Sequence, residues 1–79
     1  MFYVYALNSK SRKYIYVGIT KDLERRIEEH NTGKNKTTKA YRPFELIYSE
    51  SLKTRPEARE REKYLKSGTG KEFLKKVRL

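Results

Sequence analysis

Seventy-nine residues leave room for one small domain and no second core. Twenty Lys and Arg against ten Asp and Glu give a formal charge of +10, a self-repelling excess whose usual partner is a polyanion, most often nucleic acid and less often an anionic membrane surface. No apolar run approaches the roughly 18 residues of a spanning helix, and the absence of cysteine excludes disulfides and thiolate chemistry. With one histidine no Cys/His zinc site can form, so any metal must be held by carboxylates. Apolar residues make up 35% and seven residues are tyrosine, so phenol rings share in the packing. The apolar residues fall in patterned blocks, which argues against disorder. The chain starts on a strand-like segment, with neither a basic leader nor a small-residue cleavage site, and the expected location is cytoplasmic and nucleoid-associated.

Phe2 to Leu7 alternates as two sets, Phe2/Val4/Ala6 and Tyr3/Tyr5/Leu7, which predicts a strand half-buried on both faces. After the polar stretch Asn8 to Lys13, Tyr14 to Thr20 alternates again, with Ile15/Val17/Ile19 on one face and Tyr14/Tyr16/Gly18 on the other. A hairpin turning at Lys10 and Ser11 sets Tyr5 opposite Tyr16 and Tyr3 opposite Gly18, with tyrosines on one face and aliphatics on the other. From Asp22 the period changes to that of a helix over residues 22–32, with Asp22 as N-cap and Gly33 as the stop. Residues 34–42 carry basic groups and no acid, which predicts a loop or one short helical turn before Pro43. A third strand is expected at Phe44 to Leu52 and a helix from a Thr54 cap to about Lys66. A last short helix follows, with Thr69 and Glu72 as its capping pair and Phe73, Leu74 and Val77 as its apolar residues. The order β-β-α-β-α-α predicts one α+β domain over residues 1–79, a three-stranded antiparallel sheet with helices on both faces.

Charges on a buried helical stripe ask for a reason. Glu62 lies four after Ala58 and three before Leu65, which puts a carboxylate on the inward stripe of the second long helix. Its bland reading is an ion pair with Lys66 or Arg59. Arg26 lies three after Leu23 and four before His30, setting a guanidinium and the single imidazole one turn apart. The bland alternatives are an Arg26–Glu29 pair and a satisfied histidine at a helix end. Tyr14, Tyr41, Tyr48 and Tyr64 read as packing or surface.

Tyr3-Val4-Tyr5 and Tyr16-Val17-Gly18 resemble the two signature tripeptides of the GIY-YIG nuclease superfamily, with Tyr3 where the first has glycine. The helix with Lys21-Asp22-Leu23 and Arg26 resembles the one that follows them. His30-Asn31, Arg42-Pro43 and Glu57-Ala58 through Arg61-Glu62-Lys63 are similar to small single-domain bacterial members, sometimes called YhbQ-like, and more distantly to the N-terminal nuclease module of UvrC. The resemblance covers nearly the whole chain, and it rests on the order of the motifs and the ten-residue step from Tyr16 to Arg26.

The resemblance implies a metal-dependent DNA endonuclease, structure-selective and acting in repair or recombination. It makes Glu62 the ligand of one divalent cation, Mg²⁺ or Mn²⁺, Tyr16 the activator of the attacking water, Arg26 the contact to the scissile phosphate and Tyr5 a supporting phenol, with His30 a candidate for sharing proton transfer. Hydrolysis of a phosphodiester builds charge on its oxygens that a hard cation and a guanidinium stabilise. A phenol is a poor base at neutral pH and needs positive charge nearby. Lys34, Lys36, Lys39 and Arg42 are the candidates for gripping flanking phosphates; their alternative is a solvated loop. Phosphate contacts carry no sequence code, so the expected partner is branched, flapped or nicked DNA. A monomer is expected, with a protein partner supplying specificity left open. The competing reading is a non-catalytic nucleic-acid-binding module of the same fold.

Overall fold

The computed structural model describes residues 1–77; the expected domain runs to 79, and its last two positions lie outside the described residues. In chain order the elements are β1 (Phe2–Ser9), β2 (Ile15–Thr20), α1 (Leu23–Asn31), a short 3₁₀ turn (Lys39–Tyr41), β3 (Phe44–Leu52), α2 (Arg55–Lys66) and α3 (Gly68–Val77). The sheet is antiparallel with strand order β2-β1-β3, so β1 is central and β2 has a free edge. This is the expected α+β order.

The alternation in β1 and β2 builds two cores. On one face Val4, Ala6 and Val17 pack with Ala58 and Leu65 of α2 and Leu74 of α3. On the other, Tyr5, Leu7 and Phe44 pack with Tyr14, Tyr16, Tyr41 and the α1 residues Leu23 and Ile27. A bulge between Ala6 and Leu7 in the β1–β3 ladder lets β3 serve both cores: Phe44 faces the aromatic one, while Ile47 at the bulge and Tyr48 beyond it reach the aliphatic one.

The hairpin register differs from expectation by two residues. Tyr5 lies opposite Gly18 and Leu7 opposite Tyr16, while Tyr3 meets Thr20. The Ser9 hydroxyl explains the shift, since it accepts from the amides of Ser11 and Arg12 and donates to the Tyr41 carbonyl. The turn therefore takes up residues 10–14 and closes with the Ser9 amide donating to Tyr14 O at 2.9 Å. A shift of two keeps each side chain on its expected face.

Asp22 caps α1 through the Arg25 amide and Thr54 caps α2 through that of Glu57, both as expected. Gly33 ends α1 in the left-handed region, at φ 80°. At the last helix, Ser67 and not Thr69 is the cap: its hydroxyl accepts from the Gly70 amide at 3.2 Å, and its own amide donates to Tyr64 O at 3.0 Å. One residue thus ends α2 and begins α3. The depth of Glu62 is also corrected. Ala58 and Leu65 are fully buried, whereas Glu62 is about a quarter exposed. Four residues of helix turn it about 40° from Ala58, onto the shoulder of the stripe.

Candidate active site

Gly18 and Tyr5 face each other in the β1–β2 ladder, and the missing side chain leaves a hollow that two phenols fill. A Cβ on Gly18 would lie 2.7 Å from Tyr5 Oη and 2.9 Å from Tyr16 Cε2. The two rings stand 6.1 Å apart. Beneath them, the last turn of α1 delivers His30, fully buried, with its ring 4.7 Å from that of Tyr16 and edge-on to Phe44. The Tyr5 hydroxyl and His30 Nε2 are hydrogen-bonded at 3.1 Å; His30 Nδ1 and the buried Thr38 hydroxyl are bonded at 2.8 Å. Both imidazole nitrogens are thereby occupied, and their hydrogen bonds fix the ring's orientation.

Burial raises the Tyr5 pKa to about 12, with the neighbouring Tyr16 adding to the effect and Arg26 opposing it. Tyr5 is therefore a neutral phenol at physiological pH, a hydrogen-bond donor and not a base. Burial likewise pushes the His30 pKa down, and the Arg26 charge adds to this, so the neutral ring is favoured. Arg26 donates to Glu29 at 2.9 Å, a bond that raises its own pKa and lowers that of Glu29, and its guanidinium also acts on the Tyr5 hydroxyl. Arg25 reaches the other Glu29 oxygen at 3.4 Å.

Tyr5, Tyr16, Arg26 and His30 thus meet in one cluster on the aromatic face. Glu62 comes from α2 on the opposite face and joins it at one remove: its carboxylate accepts from Lys66 at 3.0 Å, and Lys66 lines a cleft with Tyr14 and Tyr16. The geometry is possible because β2 is an outer strand, around whose free edge a group from α2 can reach. The bland pairings, Glu62 with Lys66 and Arg26 with Glu29, are both present. The four basic residues of the 34–42 segment are all exposed, and Arg42 lies across Gly33.

The GIY-YIG catalytic domain family matches residues 1–76, which takes in every element described except the last residue of α3. The chain belongs to the GIY-YIG family of nuclease domains. Among similar proteins, UPF0213 protein YazA of Bacillus subtilis is 43% identical over 70 residues, covering 87% of this chain and 70% of the relative. UPF0213 protein SSP2268 of Staphylococcus saprophyticus is 38% identical over 76 residues, covering 95% and 92%. The solution NMR structure of UPF0213 protein BH0048 from Bacillus halodurans aligns with a TM-score of 0.57 at 36% identity, over 98% of this chain and 85% of that one.

Within this GIY-YIG domain, two residues that sequence reasoning passed over hold the cluster together. Thr38 anchors the basic segment to His30. Asn31 clamps Phe44, donating to its carbonyl at 3.3 Å and accepting from its amide at 2.6 Å. A threonine in a run of lysines carries no pattern that predicts burial. Asn31 directly follows the histidine in the family-like dipeptide, which was its one signal.

Among the described residues no three of His, Asp or Glu gather as a metal cage. The carboxylate that the family resemblance makes the metal ligand, Glu62, is part-exposed. It fits a hard cation such as magnesium, which binds through few protein oxygens and keeps most of its waters. No helix is long and apolar enough to cross a membrane, among the described residues.

Proposed function

We propose that this domain is a divalent-metal-dependent DNA endonuclease, selective for branched or flapped structures and acting in repair or recombination. The observation that carries the reading is the convergence of Tyr5, Tyr16, Arg26 and His30 over Gly18, where two phenols, a guanidinium and a neutral imidazole share one cluster. Mg²⁺ or Mn²⁺ held by Glu62 would supply charge to the developing phosphate and leaving oxygens. Arg26 exchanges Glu29 for the scissile phosphate, a charge-assisted contact of the same kind. Tyr16 activates the attacking water, and His30, packed against its ring with both nitrogens hydrogen-bonded, positions the pair of phenols. Tyr5 donates a hydrogen bond and holds the imidazole in place. Lys34, Lys36, Lys39 and Arg42 grip flanking phosphates, so binding falls steeply with salt and carries no sequence preference. The protein acts as a cytoplasmic, nucleoid-associated monomer.

A second reading, a nucleic-acid-binding module without cleavage, draws support from Arg26 and Glu62, each already paired with a neighbour. Incubation of labelled flapped, nicked and linear DNA with and without Mg²⁺ or Mn²⁺ separates the two. Nicking by the wild type that is lost in Glu62→Ala, with DNA binding retained, supports the nuclease. Binding without any metal-dependent nicking selects the second reading.

A further inference from the structure

We propose that the cleft along the free edge of β2 is a second phosphate-binding subsite, in which Lys66, Lys71 and the Tyr14 hydroxyl hold the phosphodiester next to the scissile one. This rests on the reading of the domain as DNA-binding. The cleft is lined by Tyr14, Ile15, Tyr16, Val17, Lys66 and Lys71: two phenols on the strand side, two ammonium groups on the helix side and no carboxylate. These are donor types that nucleic-acid-binding proteins direct at phosphate oxygens. Tyr16 belongs to both the cleft and the candidate active site, so an anion held here is continuous with a strand held there.

Each wall is fixed before any ligand arrives. Tyr14 stacks on Tyr41 with ring centroids 4.1 Å apart, and the Arg12 guanidinium lies 5.7 Å from the Tyr41 ring centre. On the helix side, Lys66 ends α2 and Lys71 lies in the first turn of α3, joined through Ser67, whose carbonyl accepts from the Lys71 amide at 2.9 Å. Gly70 is buried against the Tyr64 carbonyl, so the two helices cannot slide past one another. Of the two cations Lys66 is partly neutralised by Glu62, whereas Lys71 has no carboxylate within 4 Å among the described residues. Two ammonium groups facing one cleft repel each other until an anion lies between them.

The test is fluorescence anisotropy of a labelled flap DNA over a salt series, with wild type, Lys71→Ala, Lys71→Arg and Lys75→Ala. Lys75 also lies on α3 but is paired with Glu72, and serves as the charge-matched control. Lys71→Ala should weaken binding threefold to tenfold on every sequence and reduce the slope of log K against log salt by about 1. Lys71→Arg should restore both, and Lys75→Ala should match the wild type. In nicking assays Lys71→Ala should raise KM and leave kcat unchanged. If the wild type binds and Lys71→Ala binds equally well, the subsite is refuted while the DNA-binding reading stands. Equal losses in Lys71→Ala and Lys75→Ala would also refute it, since bulk charge would then be the cause. If the wild type binds no DNA at any salt, the reading beneath it fails and the subsite with it.

Discussion

Gly18→Ala tests the packing of the candidate site with a change of one methyl. Inside a strand the exchange ordinarily stabilises by roughly 0.5–1 kcal/mol, because glycine has more backbone freedom to lose. Here the new Cβ would sit 2.7 Å from Tyr5 Oη and 2.9 Å from both Tyr5 Cζ and Tyr16 Cε2, against an ordinary contact of 3.4 Å or more. The rings must retreat by about 0.5–0.7 Å, an overpacking that costs about 1–3 kcal/mol. Tyr5 is fully buried and its hydroxyl is bonded to His30 at 3.1 Å, so a retreat of that size distorts the bond. The sign of the stability change is therefore opposite to the backbone expectation. Thermal unfolding by circular dichroism should show the midpoint falling by roughly 5–15 °C for a domain of this size. Metal-dependent nicking should fall about a hundredfold, the usual penalty for moving a catalytic group by up to an ångström. A variant that melts higher than the wild type, or nicks at the wild-type rate, refutes the argument that two phenols are held in register by the hollow at Gly18.

Tyr5 makes a second prediction, at alkaline pH. Its folded pKa of about 12 exceeds the unfolded value of 10.0, so below pH 10 the stability it contributes is fully present, and it is lost as pH rises from 10 through 12. Urea midpoints should fall by an amount equivalent to about 2–3 kcal/mol more for wild type than for Tyr5→Phe across that window; equal losses contradict the assignment. Thr38→Val leaves the buried Nδ1 of His30 without a partner and should destabilise by about 1–3 kcal/mol, with Thr38→Ser restoring most of it in the same denaturation assay. Gly70→Ala would put a Cβ 2.0 Å from the Tyr64 carbonyl oxygen and should cost about 3 kcal/mol or more, whereas Gly68→Ala meets nothing within 4 Å and should be neutral or mildly stabilising. Similar midpoints for the two glycine variants would show that the junction of α2 and α3 is looser than described.

Most of the fold was legible because the signals were local. Period-two alternation in residues 2–7 and 14–20, the Asp22 and Thr54 caps and the stop at Gly33 each act within a few residues, and each element formed where it was expected. The errors lie where a distant group intervenes. The hairpin moved by two because the Ser9 hydroxyl reaches the Tyr41 carbonyl, 32 residues away, and draws the turn around itself. Thr69 looked like a cap, but Ser67 can serve two helices at once, and periodicity does not distinguish one cap from the other. Glu62 was set too deep because the spacing of Ala58 and Leu65 fixes the stripe's centre and says nothing of its width. Within the candidate site, Tyr5, Tyr16, Arg26 and His30 came together through alternation in the hairpin and one helical turn in α1. Thr38 was hidden, since its burial depends on a loop folding back across α1.

The corner at Ser67 leaves no slack between α2 and α3, and this makes chain length there a structural quantity. One residue inserted between Lys66 and Gly70 would rotate everything after it by about 100° about the helix axis. Leu74, fully buried in the aliphatic core, would turn towards water, and Lys71 would swing away from β2. Insertions in the mostly exposed 34–37 stretch shift no residue of either hydrophobic core, so among proteins of this kind the spacing across the corner should be far less variable than the length of that loop.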